Sequence, residues 1–132
     1  MLRIATPLPE DLEKLTHDTI GCCIAVHREL GPGLIEGIYS KALCRELKVA
    51  NIPFERQRRV AVSYRSEYLC DQWLDFVIDE RLVLEIKSVE SLIPVHHAQL
   101  LNYMRLAGAR VGLLINFNVV VLKDGIKRKV LF

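Results

Sequence analysis

The sequence has little that would tie it to a membrane, a disulfide framework or a thiolate metal cage. Its four cysteines, Cys22, Cys23, Cys44 and Cys70, form no Cys-x-x-Cys pair. Cys22 and Cys23 sit in an apolar helical run, so they read as buried free thiols of a reducing compartment. No uncharged stretch reaches the ~18 residues that a membrane span needs. The opening Met1-Leu-Arg-Ile-Ala-Thr-Pro7 has no apolar signal core, so the expected setting is cytoplasmic, with no membrane partner. Neither sign of charge dominates: 18 Lys and Arg against 16 Asp and Glu leave a net +2. That balance neither implies a nucleic-acid partner nor excludes one. Repeats, low-complexity segments and linkers are also missing. The 132 residues are therefore expected to form one domain over 15–132, large enough to bury roughly two-thirds of its unfolded surface. A loose lead-in is expected over 1–14, where Pro7 and Pro9 discourage helix.

What is present is an alternation of helical and strand patterns. Ile20, Cys23, Ile24, His27 and Leu30 repeat at helical spacing. Thr16 is the expected N-cap, and Gly31 followed by Pro32 the stop. His27, beside the apolar stripe, reads as a packed histidine and not a ligand. A second helix is expected from Gly33 to about Lys48, with Leu34, Ile38, Leu43 and Leu47 on its apolar side. Glu36 and Tyr39 share a face of it. Glu36 is either a dipole-favoured residue near the helix N-terminus or an acid aimed at a site elsewhere, and the pattern leaves both open. After the turn Asn51-Ile52-Pro53, Arg56, Arg58 and Arg59 lead into a short strand over Val60–Tyr64. Those arginines can contact phosphates or merely solvate a basic edge. A third helix starts at Pro94 and ends near Ala107, before Gly108. Leu100, Met104 and Ala107 mark its packed side, and His96, Gln99 and Tyr103 another stripe. Val111–Phe117 reads as a buried strand and Val119–Leu122 as a further one, with Asp124-Gly125 turning into Lys127–Phe132. The order α-α-β-β-β-α-β-β(-β) is that of an α/β (α+β) domain, a mixed central sheet flanked by helices.

The stretch Gln72–Ser88 carries the chemistry. Its apolar runs Leu74–Ile78 and Leu82–Ile86 flank a charged break, which predicts a β-hairpin. With the three-residue loop Asp79-Glu80-Arg81, Ile78 pairs with Leu82 and Asp75 falls opposite Glu85. Leu74, Phe76, Ile78, Leu82, Leu84 and Ile86 then share one face. The other face carries Asp75, Val77, Val83, Glu85 and Lys87. Two carboxylates directly opposite each other repel unless something neutralises them. A hard divalent cation does so, since Mg²⁺ takes one or two carboxylates and keeps waters for a phosphate substrate. Lys87, two residues on, points to the same side. A cation held by two acids beside an ammonium group suits phosphodiester hydrolysis, with Lys87 orienting water or stabilising developing charge. The bland alternative is a solvated sheet face on which Lys87 pairs with an acid for ~0–1 kcal/mol.

Several of these stretches together resemble one family. Gly33-Leu-Ile-Glu36-Gly-Ile-Tyr39 is similar to the signature of the GxxExxY proteins, which are assigned to the PD-(D/E)xK nuclease-like superfamily. The resemblance takes in His27-Arg-Glu-Leu-Gly-Pro-Gly33, Asp75, Glu85-Ile-Lys87, Gln99-Leu-Leu-Asn-Tyr103, Leu114-Ile-Asn116-Phe117 and Gly125-Ile-Lys-Arg128. It spans about residues 15–132. It implies a restriction-endonuclease-like αβββαβ core, with Asp75 and Glu85 as metal carboxylates, Lys87 as catalytic lysine and Glu36 as an additional helix-borne acid. Gln99 and Tyr103 match a Gln-x-x-x-Tyr helix motif found beside the metal site in exonuclease-like branches. Trp73 departs from the pattern, standing where similar sequences often carry arginine.

The expectation is thus a Mg²⁺- or Mn²⁺-dependent nuclease acting on DNA or RNA. Asp75, Glu85, Lys87 and Glu36 would be its catalytic residues, Asp75, Glu85 and Glu36 its metal ligands, and Gln99, Tyr103, Tyr39 and Arg58 its substrate contacts. The competing expectation is a nucleic-acid-binding or assembly module that keeps the fold without turnover. The small net charge favours that module, or an enzyme that works as a homodimer or with a partner protein.

Overall fold

The computed structural model describes residues 8–131. Two helices, α1 (Glu10–Leu30) and α2 (Glu36–Val49), precede strands β1 (Phe54–Tyr64), β2 (Glu67–Ile78) and β3 (Leu82–Lys87). Helix α3 (Pro94–Ala107) then crosses to β4 (Val111–Asn116), and a 3₁₀ turn (Leu122–Gly125) leads into β5 (Ile126–Val130). The sheet order is β1-β2-β3-β4-β5. All neighbours are antiparallel except β3 and β4, the parallel pair joined by α3. The restriction-endonuclease-like α/β architecture expected from the sequence is the one observed. No helix among the described residues is long and apolar enough to cross a membrane.

The sheet has an apolar cluster on each side, which is why both central strands read as unbroken apolar runs. On one face Phe76, Ile78, Leu82, Leu84, Ile86, Leu113 and Ile115 pack under Cys23, Val26, Tyr39, Leu43 and Leu47 of α1 and α2. On the other, Val77, Val83 and Leu114 meet Leu100 and Met104 of α3. Gly112 lets α3 come close: a Cβ there would stand 2.5 Å from Met104 Sδ. At about 1.5–3 kcal/mol for each large apolar side chain fully buried, this double burial is the main stabilising term.

Four expectations are corrected. Helix α1 begins at Glu10 and not at Thr16, so of the expected lead-in over 1–14 only residues 8 and 9 are described outside the helix, and 1–7 lie outside the described residues. Pro9 flanks its start, Glu10, Asp11 and Glu13 occupy the first turn, and that placement suits the helix dipole. The Thr16 hydroxyl, far from capping, donates to the Leu12 carbonyl at 2.8 Å inside the helix. β1 takes in the arginines, because Phe54, Arg56, Arg58, Val60 and Val62 are its half-buried positions, Phe54 against the α1–α2 side of the sheet and Val60 against the α3 side. Val119–Leu122 is not a strand: β5 pairs directly with β4, and the connection turns with Val120 88% exposed. Finally, Leu74 joins the α3-side cluster and not the Phe76 face. The cause lies in β1, where Gln57, between the pairs Arg56↔Phe76 and Arg58↔Leu74, adopts φ 53°. A left-handed residue inside a strand interrupts its alternation.

The turn into β5 depends on a close approach. A Cβ on Gly125 would stand 2.1 Å from the Asn116 carbonyl oxygen. Gly125→Ala is expected to lower stability in urea by about 2 kcal/mol or more. Gly21→Ala, on the exposed side of α1 with nothing within 4 Å, is expected to raise it by ~0.5–1 kcal/mol. Equal effects at the two positions would contradict this packing.

Candidate active site

The site is built where the β2–β3 ladder stops. Its turn is tight: Asp79 and Glu80 have φ 48° and 59°, and the Arg81 amide donates to the Ile78 carbonyl at 3.0 Å. Ile78↔Leu82, Val77↔Val83 and Phe76↔Leu84 then pair in the register of a three-residue loop. One step further the strands no longer bond to each other through their backbones. Side chains take over instead. The Asp75 amide donates to Glu85 Oε2 at 2.8 Å, and the Ile86 amide donates to Asp75 Oδ2 at 2.8 Å. Each acid satisfies a backbone N–H of the other's strand, which fixes both carboxylates side by side. Among the described residues, no hydrogen bond engages the remaining oxygens, Asp75 Oδ1 and Glu85 Oε1.

The electrostatics follow from that burial. Glu85 is only 5% exposed. Loss of solvent, and then the Asp75 charge, push it up to about 8 against the opposing pull of the Asp75 amide and Lys87. Asp75 is also raised, first by burial and then by the Glu36 charge, while the Ile86 amide, Lys87 and Arg56 work the other way. Tyr103 is raised by burial and by the same two carboxylates, so its phenol keeps its proton at neutral pH. Asp75, Glu85, Lys87, Glu36 and Tyr103 thus lie within one another's field. Gln99, one helical turn before Tyr103, is half-buried.

The Gly33–Tyr39 segment has a mechanical role. Gly33 adopts φ 98°, a conformation that favours glycine. The Tyr39 hydroxyl donates to the Gly31 carbonyl at 2.6 Å and accepts from the Leu34 amide at 3.1 Å. Its ring stacks on Phe117 with centroids 4.5 Å apart. Tyr39, expected as a substrate contact, is fully buried and pins the turn leading into Glu36. Ser88 Oγ donates to the Leu34 carbonyl at 2.5 Å and ties the same turn to the end of β3. The Asn116 side chain holds the Val89 backbone at both amide and carbonyl, 3.1 and 3.0 Å. Arg58, also expected as a substrate contact, faces acids of its own. It is committed to Glu80 at 2.8 and 3.0 Å and to Glu55 at 3.1 Å, whereas Arg56 is the arginine whose charge reaches Asp75. Only the irregularity at Gln57 separates the two, and nothing in the residue types announces it. His27 is the packed histidine expected, with Nε2 2.7 Å from the Val119 carbonyl.

The sequence model of the PD-(D/E)XK nuclease superfamily matches residues 13–129. The chain belongs to this superfamily. No curated protein and no solved structure matches. PD-(D/E)XK nucleases generally use divalent metals, and the donor set here fits such an ion. Two buried acids repel until a cation arrives, and each has one oxygen not engaged by backbone. No three His, Cys, Asp or Glu side chains converge to hold an ion among the described residues, so Glu36 stands outside the immediate pair. Two carboxylates with water completing the shell are sufficient for Mg²⁺.

The raised acid makes stability depend on pH in a definite direction. Below its ordinary 4.5, Glu85 is protonated whether folded or not, and costs nothing. As pH climbs toward about 8, the unfolded chain releases that proton while the fold resists, so the favourable contribution is lost. In metal-free buffer, Glu85→Gln is therefore expected to match wild type near pH 4 and to exceed it by a few kcal/mol at pH 8. A stability difference that is flat with pH in urea titrations would contradict the burial of this acid.

Proposed function

We propose that the chain is a divalent-metal-dependent nuclease of the GxxExxY group, hydrolysing phosphodiester bonds of DNA or RNA. The observation that carries this reading is the reciprocal bonding of Asp75 and Glu85 across the parted strands, which concentrates two buried acids at one point. A structural sheet position gains nothing from such a pair, whereas an ion-binding position requires it. Asp75 and Glu85 hold Mg²⁺ or Mn²⁺, and Glu36 adds negative potential that draws a cation to them. When bound, the ion supplies Lewis acidity toward a phosphoryl oxygen. Lys87 orients the attacking water and stabilises charge developing on the phosphate. Tyr103, held protonated, donates a hydrogen bond to a phosphate oxygen, with Gln99 beside it. Arg56 takes the phosphate-binding role first given to Arg58. The buried thiols of Cys22 and Cys23 agree with a reducing, cytoplasmic setting.

A second reading, a nucleic-acid-binding or assembly module without turnover, draws on the small net charge of +2, which gives the chain little long-range grip on a polyanion. The two readings separate on activity. Purified protein with Mn²⁺ or Mg²⁺ is expected to cleave DNA or RNA. Lys87→Ala should reduce the rate by about 10²–10³ with an unchanged circular dichroism spectrum. Arg56→Ala should cost more than Arg58→Ala. Equally negligible turnover by wild type and Lys87→Ala on every nucleic-acid substrate would hand the case to the binding module.

A further inference from the structure

The β1–β2 ribbon outruns the rest of the sheet. β3 bonds only with Phe76–Ile78 of β2, whereas β1 follows β2 as far as Tyr64↔Glu67. The outer part is a two-stranded arm, and two strands alone are marginal in water. One face of the arm is nevertheless organised. Trp73 stands opposite Arg59, Asp71 opposite Ala61, and Tyr68 opposite Ser63. A register shift between Val62 and Ser63 leaves Leu69 as an extra residue on β2 and returns Tyr68 to the Trp73 side. Asp71 then holds a neighbour on either hand: the Tyr68 hydroxyl donates to its Oδ1 at 3.0 Å, and Arg59 Nε lies 3.6 Å from its Oδ2. The indole is the chain's one tryptophan. It is 56% exposed, and Tyr68 62%. Among the described residues, no ring contact and no side-chain hydrogen bond involves the indole of Trp73.

We propose that this face binds single-stranded nucleic acid, stacking a base on Trp73 and holding a phosphate with Arg59, and feeds the strand to the acids at Asp75. The proposal rests on the nuclease reading and names its substrate class. Trp73 lies two residues before Asp75 on β2, so the arm and the carboxylates are carried by one strand. A flat aromatic ring on an open sheet face stacks only with a base that has left its partner, since paired bases present edges to a protein. Arg59 turns just Nε toward Asp71, and its side chain is 65% exposed, leaving its terminal nitrogens for a phosphate. A guanidinium and a carboxylate at the centre of the face also argue against a second protein as occupant, because the middle of a protein interface is depleted of charge.

The lone tryptophan reports on its own occupancy. In EDTA, where turnover is blocked, oligo(dT) or oligo(U) is expected to quench its fluorescence saturably, and a blunt duplex of the same length to quench it far less. By anisotropy of a labelled oligonucleotide, Trp73→Ala should bind ~5- to 150-fold more weakly, and Trp73→Phe within a few-fold of wild type. Arg59→Ala should flatten the salt dependence. Quenching by duplex equal to that by single strands would overturn the proposal. So would a concentration-dependent spectral shift without nucleic acid, accompanied by a dimer in sedimentation, which would assign the face to a second copy. Absence of quenching overturns it as well. If cleavage persists in that case, the carboxylate reading stands and only the arm proposal falls.

Discussion

Everything distinctive about this domain depends on one exchange of hydrogen bonds. Between β2 and β3 the backbone ladder gives way, and the carboxylates of Asp75 and Glu85 bond to the amides that the ladder leaves behind. Each bond to an ionised acceptor contributes on the order of 1.5–3 kcal/mol and lowers the pKa of its acid. Burial and mutual repulsion outweigh that gain, and both acids end up raised. The geometry is therefore satisfied while the charge is not. Such a pair is stable as a partly protonated site or as a cation site, and the Lys87 ammonium nearby is insufficient to compensate it.

The remaining architecture keeps this point rigid and accessible. α3 is drawn close by the missing side chain at Gly112, and its Tyr103 lies within the field of both acids. On the far side the turn before α2 is locked by the Tyr39 hydroxyl and by Ser88, so that Glu36 arrives at the same end of the sheet. Asn116, at the end of the neighbouring parallel strand, fastens the chain just beyond Lys87. Hydrogen bonds from β2, from the turn before α2 and from the end of β4 thus converge on the end of β3. That is the arrangement expected where side chains must be held to within a fraction of an ångström.

Much of this was legible from the residues alone. Apolar runs on both sides of Asp79-Glu80-Arg81 fix the hairpin register, because a one-residue slip would turn Glu85 into the core. Pro94 and Gly108 bracket α3 as they should, and the helix-then-strand order gives the fold class. What escaped was set by tertiary contacts. Leu74 and Arg58 changed sides through one left-handed residue, Gln57, whose side chain carries no such signal. Tyr39 shares a helical face with Glu36, yet spacing alone does not tell a ring that faces solvent from one stacked under Phe117. Val119–Leu122 has strand-like residues but no strand to pair with, since β5 already occupies the edge of β4. The structural duties of Ser88 and Asn116 rest on partners far away in the chain, which no local pattern reveals.

The central claim is that the acids of the β2–β3 hairpin are arranged for a cation. Calorimetric titration of Mn²⁺ into wild type, Glu85→Gln and Asp75→Asn at neutral pH tests it most directly. Because at least one acid of the pair keeps a proton when the ion is absent, wild type should bind with release of protons, detectable as a dependence of the heat on buffer ionisation. Both variants should lose the binding. Equal affinity and equal proton release in all three proteins would contradict the account.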